Sequence, residues 1–144
     1  MKAGAQKIRV RKPSAARSAN MAKIRCRDSG CEMTVRRLVH GLGYRFRLHD
    51  RTLPGTPDLV MARHSKVIFV NGCFWHRHTC KRGRSMPSSN VEFWQAKLEA
   101  NQMRDRRARR LLKQQGWQVL TIWECQATDP EKLSRRIRQF IEQV

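Results

Sequence analysis

The sequence is short of acids. Only 11 Asp and Glu stand against 31 Lys and Arg in 144 residues, which sets the formal charge at +20 and the pI near 11.4. Such an imbalance lies far outside the range of an ordinary cytosolic enzyme and calls for a polyanionic partner. Also missing is any apolar run long enough to span a bilayer, or the apolar core of a secretory signal near the N-terminus. No basic amphipathic helix carries a broad apolar face with aromatic anchors, so nucleic acid is the expected partner and a membrane is not. The expectation is a soluble intracellular protein. Cysteine is scarce and odd in number, at five, which suits reduced thiols used for metal rather than disulfides.

The length allows one domain with a hydrophobic core but not comfortably two, and there are no internal repeats. Residues 1–18 carry Lys, Arg, Pro, Ala and Ser with scarcely a large apolar side chain. Their composition resembles a transit peptide, but a flexible basic arm lying along phosphates accounts for them better. A folded domain over residues 19–144 is expected to follow.

Ser29-Gly30-Cys31-Glu32 has capping-box spacing and precedes Met33, Val35, Leu38, Val39 and Leu42 at helical intervals, with a stop at Gly41-Leu42-Gly43. Tyr44 to His49 alternates apolar and basic residues as a half-buried strand. After the Leu53–Pro57 loop, Asp58–Ala62 and Val67–Val70 form two short strands around a polar turn, most simply a hairpin. Val91 to Gln115 is the longest helix, stopped by Gly116; Trp117 to Trp123 is a strand, and Asp129-Pro130 starts a last helix. A long helix between the strands at Val67 and Trp117 makes them parallel neighbours, so the expected architecture is α/β, a mixed sheet between helices in an α/β/α arrangement.

The chemistry gathers in Gly72-Cys73-Phe74-Trp75-His76-Arg77-His78-Thr79-Cys80. Cys73, His78 and Cys80, with Cys125 after a later strand, offer a Cys3His set for a tetrahedral structural zinc, although the spacing is not that of a standard finger or ribbon. His76 competes with His78 for that place. If His78 takes it, His76 is an imidazole held still, as a general base on water requires. Asp58 starts a strand after a Gly/Pro loop and either caps that loop or holds a hard cation such as Mg2+ together with backbone oxygen. Phe74, Trp75 and Trp94 are candidate base-stacking or intercalating rings. Core packing claims Phe93, Trp117 and Trp123, whereas consecutive Phe74 and Trp75 cannot both enter one core. Glu32 is at least a capping-box residue and Asp105 at least a local charge partner. Cys26 and Cys31 remain as spare thiols.

At these positions the chain resembles the very-short-patch repair (Vsr-type) DNA mismatch endonucleases. The matching elements run in order: Arg17-Ser18-x-Asn20-Met21, Glu32, Leu53-Pro54-Gly55-x-Pro57-Asp58, Gly72-Cys73-Phe74-Trp75-His76-x-His78-x-Cys80, Glu92-Phe93-Trp94, Arg104-Asp105-Arg106, and Gly116-Trp117-x-Val119-Leu120 through Trp123-Glu124-Cys125. The Gly-Cys-Phe-Trp-His block is highly specific. The resemblance implies a restriction-endonuclease-like fold with structural zinc, which nicks duplex DNA 5′ to the thymine of a T·G mismatch left by deamination of 5-methylcytosine. It implies that Asp58 binds Mg2+, with the Val70 carbonyl beside it, and that His76 activates water while Asp105 orients its ring. Glu32 is implied as a further acid of the active site, and Cys73, His78, Cys80 and Cys125 as the zinc ligands. Phe74, Trp75 and Trp94 are implied as the wedge at the mismatch, with Met21 acting from the opposite groove. Val70 and Asn71 stand where the best-known members have Thr and His, and Ser29-Gly30-Cys31 replaces Thr-x-Pro before Glu32.

The expectation is therefore a monomeric, Mg2+-dependent, strand-specific mismatch endonuclease, with mismatch-repair proteins as further partners. Two rivals are a nuclease of the same fold without mismatch selectivity and a noncatalytic zinc protein that binds nucleic acid. Asp58 and His76 argue against the last, since a pure binder needs neither.

Overall fold

A computed structural model describes residues 30–143. The expected arm over residues 1–18, Met21, Cys26 and the capping Ser29 lie outside the described residues. The chain runs α1 (Gly30–Gly41), β1 (Arg47–Leu48), β2 (Leu59–Met61), β3 (Lys66–Asn71), α2 (Val91–Gln114), β4 (Gln118–Trp123) and α3 (Pro130–Glu142). The strands form one mixed sheet in the order β1-β2-β3-β4.

The hairpin is β2 and β3, antiparallel from Leu59↔Ile68 to Met61↔Lys66. Its connection is a 3-10 turn, Ala62–His64, closed by Ser65 in the left-handed region at φ 55°. Helix α2 then carries the chain back, so β4 lies parallel to β3 from Lys66↔Gln118 to Asn71↔Trp123. Parallel neighbours need a crossover of this kind, and α2 supplies it. The two strands consequently finish side by side.

The expected strand from Tyr44 to His49 is reduced to Arg47–Leu48, paired with Val60 and Leu59. Helix closure takes the front of it. Gly43, at φ +92°, lets the Tyr44 N–H donate back to the Val39 carbonyl at 3.2 Å, which withdraws that group from any ladder. Tyr44 and Phe46 still lie against the core, and Arg45 and Arg47 face solvent, so the period-two pattern persists without the pairing.

Alternation along the strands divides the core between the two faces of the sheet. Leu59, Met61, Ile68 and Ile122 meet Val35 and Val39 of α1 and Leu133, Ile137 and Ile141 of α3. Val60 and Val67 point the other way and meet Leu112 of α2, with Phe69, Trp117 and Val119 partly buried around them. Gly55 fixes the loop before β2 against α2. At φ +74° it sits where a Cβ would lie 2.6 Å from the Ala108 side chain, so only glycine allows the approach that presents Asp58.

Lys66 opens β3 yet is 3 % exposed. Its ammonium donates to the carbonyls of Phe140 at 2.5 Å and Ile141 at 2.7 Å, and to that of Gln143. A cation at the carbonyl end of α3 satisfies acceptors that no helical N–H reaches and complements the helix dipole. Lys66→Met, which keeps the volume and removes the charge, is expected to lower the unfolding free energy by about 2 kcal/mol. Urea denaturation measures the loss.

Candidate active site and metal centre

Because β3 and β4 are parallel and in register to their ends, the segments after Asn71 and Trp123 emerge together. The first contains Cys73, His78 and Cys80; the second is a 3-10 turn, Glu124–Thr128, that carries Cys125. The four side chains converge, with one ligand atom from each lying within 4.8 Å of all the others. Cys125 donates its backbone N–H to Cys73 Sγ at 3.4 Å, and its own Sγ lies 3.5 Å from His78 Nδ1. The His78 ring stacks on Trp123, centroids 4.4 Å apart and planes 20° from parallel, which fixes its direction.

The thiols are not equivalent. Burial pushes Cys73 up to about 12. The Gly83 N–H, followed by the hydrogen bond with His78, pulls Cys80 down to about 6. Gly83 is required there, since a Cβ would fall 1.9 Å from the His78 carbonyl oxygen. Three sulfurs and one imidazole, with backbone N–H groups already directed at two of the sulfurs, fit a closed tetrahedral zinc site.

A second cluster lies near the β1 and β2 ends. The His49 N–H donates to the Asp58 carbonyl at 3.1 Å, continuing the ladder one step past Leu48↔Leu59, so His49 and Asp58 face each other across the pair. Glu32, from α1, accepts from Arg36 and meets His49 Nε2 through Oε1 at 2.8 Å. Asp58 Oδ2 accepts the Val70 N–H at 2.7 Å, a group left free because β2 pairs with β3 no further than Ile68. Val70 thus touches Asp58 through its amide and also lines the cleft described below.

The two carboxyls are shifted in opposite directions. Burial works against ionisation of Glu32, but hydrogen bonds with Asp58 and His49 and the positive charges of His49 and Arg36 outweigh it, so its carboxyl stays below the usual range. Burial dominates at Asp58. Opposed by the Val70 N–H and reinforced by the adjoining Glu32, it pushes that carboxyl up to about 7. Glu32 is buried and Asp58 half-buried, and ligand atoms of the two acids and of His49 lie within 4.8 Å of one another, a spacing that suits a divalent cation.

His76 is set apart from the thiols. Its Nδ1 lies 2.5 Å from Asp105 Oδ2 on α2, and its backbone N–H donates to the Gly72 carbonyl at 3.2 Å. Glu32, Asp58, His76 and Asp105 all line one cleft of about 630 Å³. Sequence spacing missed several of its neighbours. Asn101 is buried and donates from Nδ2 to the Trp75 carbonyl at 3.3 Å, tying α2 to the loop. Arg104, Arg109 and Glu124 also line the cleft. His49 was legible only as one position of an alternating strand; a polar ring directly before Asp50 at a strand end was its one signal.

The aromatic rings require a correction. Phe74 and Trp75 do share one packed cluster, because the loop after Cys73 turns back on α2 instead of projecting from the sheet. Trp75 is 7 % and Trp94 1 % exposed, packed with Leu98, and Phe74 and Phe93 cover them. The Phe74 and Trp75 rings meet edge to face at 5.2 Å. The remaining thiol among the described residues, Cys31, lines the same cleft, and burial pushes it up to about 11.

One cleft beside a mixed sheet holds the paired acids and the histidine–aspartate couple next to a thiol–imidazole cluster, and the similar proteins place this arrangement among endonucleases of the restriction-endonuclease-like fold. Residues 11–82 match the family described as DNA mismatch endonuclease Vsr. The chain is 43 % identical over 122 residues to the type II nicking enzyme V.XorIIP of Xanthomonas oryzae pv. oryzae, covering 85 % of this chain and 89 % of that one. Against the DNA mismatch endonuclease Vsr of Escherichia coli it is 43 % identical over 120 residues, covering 83 % and 76 %. Against the type II nicking enzyme V.NmeAIP of Neisseria meningitidis the figures are 34 % over 132 residues, 89 % and 94 %. The chain belongs to the Vsr family of DNA mismatch endonucleases.

Two outcomes are expected from these clusters. Cys125→Ser should lower bound zinc and the melting temperature together, since the ion would tie the ends of two strands; atomic absorption alongside calorimetry reads both, and full metal content with unchanged melting would exclude Cys125. For Asp58, the carboxyl is raised from 3.8 to about 7, so its contribution to stability is complete below the unfolded value and is lost as pH rises through 7. Asp58→Asn should therefore be more stabilising at pH 8 than at pH 5 in magnesium-free buffer, as measured by urea denaturation.

Proposed function

We propose that this endodeoxyribonuclease nicks duplex DNA 5′ to the thymine of a T·G mismatch, the lesion left when 5-methylcytosine loses its amino group. The observation that carries the reading is that one cleft is lined by both the Glu32–Asp58 pair and the His76–Asp105 couple. The same reading takes the helices on both sheet faces as the three-layer α/β/α form of the fold, the catalytic ion as Mg2+ and the structural ion as zinc. It makes residues 1–18 a basic arm and places Met21 in the groove opposite the loop. The protein would act as a monomer in the bacterial cytoplasm. Among the described residues no helix is long and apolar enough to cross a membrane.

The chain's own residues divide the work. Asp105 fixes the His76 ring through Nδ1 and stabilises it when charged, which leaves Nε2 to take the proton of an attacking water. Glu32 and Asp58, with the Val70 carbonyl, would hold the cation, which when bound polarises the phosphate and offsets charge gathering on its oxygens. The water oxygen forms a bond to phosphorus, the bond to the leaving sugar oxygen breaks, and that oxygen takes up a proton. Arg104 and Arg109 on α2 line the approach and supply positive charge for the phosphate backbone.

Selectivity for a mismatch is assigned to the aromatic cluster. A wobble pair is cheaper to unstack than a matched one, so rings that enter a base step bind it better. Phe74 is the half-buried ring at the edge of the cluster; Trp75 and Trp94 lie beneath it and would have to be uncovered by the DNA. The nicking-enzyme names of several relatives keep a site-specific nuclease without mismatch selectivity as the second reading.

Matched, T·G and other mismatched duplexes offered with Mg2+, and mapped to the nucleotide, separate the two. Nicking confined to T·G supports the proposal, and equal nicking of matched duplexes rejects it. His76→Ala should slow cleavage by roughly two to four orders of magnitude while zinc stays bound. Phe74→Ala should weaken T·G binding by about 1–3 kcal/mol while matched DNA and its salt slope barely change; equal losses on both duplexes would make the ring structural.

A further inference from the structure

The acid cluster contains a nitrogen. Glu32 Oε1, His49 Nε2 and one Asp58 oxygen lie within 4.8 Å of one another, with His49 Nε2 2.8 Å from Glu32 Oε1 and 3.8 Å from Asp58 Oδ1. Two donors bound at roughly 2.1 Å to one small divalent cation sit about 3 Å apart when adjacent and about 4.2 Å apart when opposite. The first separation lies just under that interval and the second within it. His49 is therefore placed as a ligand would be, on the protein side of the site, while Glu32 and Asp58 face the cleft.

The placement is set by the fold. The His49 N–H donates to the Asp58 carbonyl one step past the β1–β2 ladder, which sets His49 opposite Asp58, and its backbone turns into the left-handed region at φ 46° immediately beyond β1. The ring is half-buried, 14 % exposed in its side chain, against two carboxyls. Nε2 carries either one proton, which can serve one of the two acids, or one lone pair. A divalent cation accepts that lone pair and both carboxylates at once, and its charge matches the two acids.

We infer that His49 is a direct nitrogen ligand of the catalytic cation, making a site of mixed carboxylate and imidazole donors that favours Mn2+ over Mg2+. Magnesium prefers oxygen donors and its own waters, whereas first-row transition ions accept imidazole readily. The inference rests on the proposal that Glu32 and Asp58 hold the cation, and adds which atom completes their set and which ion follows.

The test uses zinc-loaded full-length protein with Mn2+ as the probe. Pulsed electron paramagnetic resonance is expected to show the nitrogen coupling of a directly bound imidazole in the wild type, changed by 15N-histidine labelling and retained in His76→Ala. In His49→Gln the coupling should vanish, Mn2+ affinity should fall by at least the roughly ten- to hundredfold that losing an outer-shell partner costs, and Mg2+ affinity should change far less. The wild-type and His76→Ala measurements do not depend on how well His49→Gln folds. Bound Mn2+ that requires Asp58 but shows no nitrogen coupling overturns the ligand role of His49 and leaves the cation site standing. Coupling that disappears in His76→Ala, or persists in His49→Gln, overturns it as well. Mn2+ binding unaffected by Asp58→Asn overturns both the inference and the site on which it rests.

Discussion

Everything at the functional end of this molecule depends on the parallel pairing of β3 with β4. Six registered positions bring Asn71 level with Trp123, so the two segments that follow leave the sheet side by side. Without that alignment Cys125 would not meet Cys73, His78 and Cys80, which are separated from it by α2 and more than forty residues of chain. The same crossover lays α2 along the opposite sheet face, and from there Asp105 reaches His76. One topological choice therefore assembles both the thiol–imidazole cluster and the histidine–aspartate couple. A metal at the first would reinforce the pairing that created it, because binding energy at a site absent from the unfolded chain adds to folding energy.

The acid pair obeys a different logic. Burying two carboxyls together is unfavourable, and the structure meets the cost with several partners: Arg36 and His49 for Glu32, the Val70 N–H for Asp58. These contacts leave the pair unequal, one carboxyl held below the usual range and the other raised above it. Perturbed acids in a cleft mark functional sites because the same burial that strains them strengthens their grip on a cation. The basic surface has the complementary role. With its one acid, Asp105, turned to His76, the stretch from Arg104 to Lys113 on α2 presents a concentration of positive charge beside the cleft, as a phosphate backbone requires.

Legibility in the sequence followed the range of the interactions. The hairpin, the long helix ended by Gly116 and the Asp129-Pro130 helix start were readable because hydrophobic period, turn residues and caps act within a few positions. The strand that alternation predicts from Tyr44 to His49 is longer than the paired segment, Arg47–Leu48. Its alternation is real, but Gly43 diverts the Tyr44 N–H into helix closure, and periodicity does not register hydrogen-bond supply. Consecutive Phe74 and Trp75 in a polar loop are not expected to enter one core together. The loop is a series of turns, and Arg77 sits at φ 53°, so that expectation does not apply to it. His49 carries only a weak local signal, a polar ring before Asp50 at a strand end, and its meeting with Glu32 and Asp58 is a contact between distant segments.

Composition and local pattern determined the charge, the helix and strand inventory, the metal-binding residue types and the family. Those properties reside in single side chains or in short-range periodicity, and they survive without any knowledge of tertiary contacts. Tertiary structure alone decided which of two histidines joins the thiols and which joins Asp105, that Glu32 faces Asp58 instead of only capping a helix, that Trp75 and Trp94 are covered, and that His49 stands at the acids. Each of these is a distance between residues far apart in sequence. Such distances are set by strand register and helix placement, which depend on burying the whole core at once and so are written in no single segment.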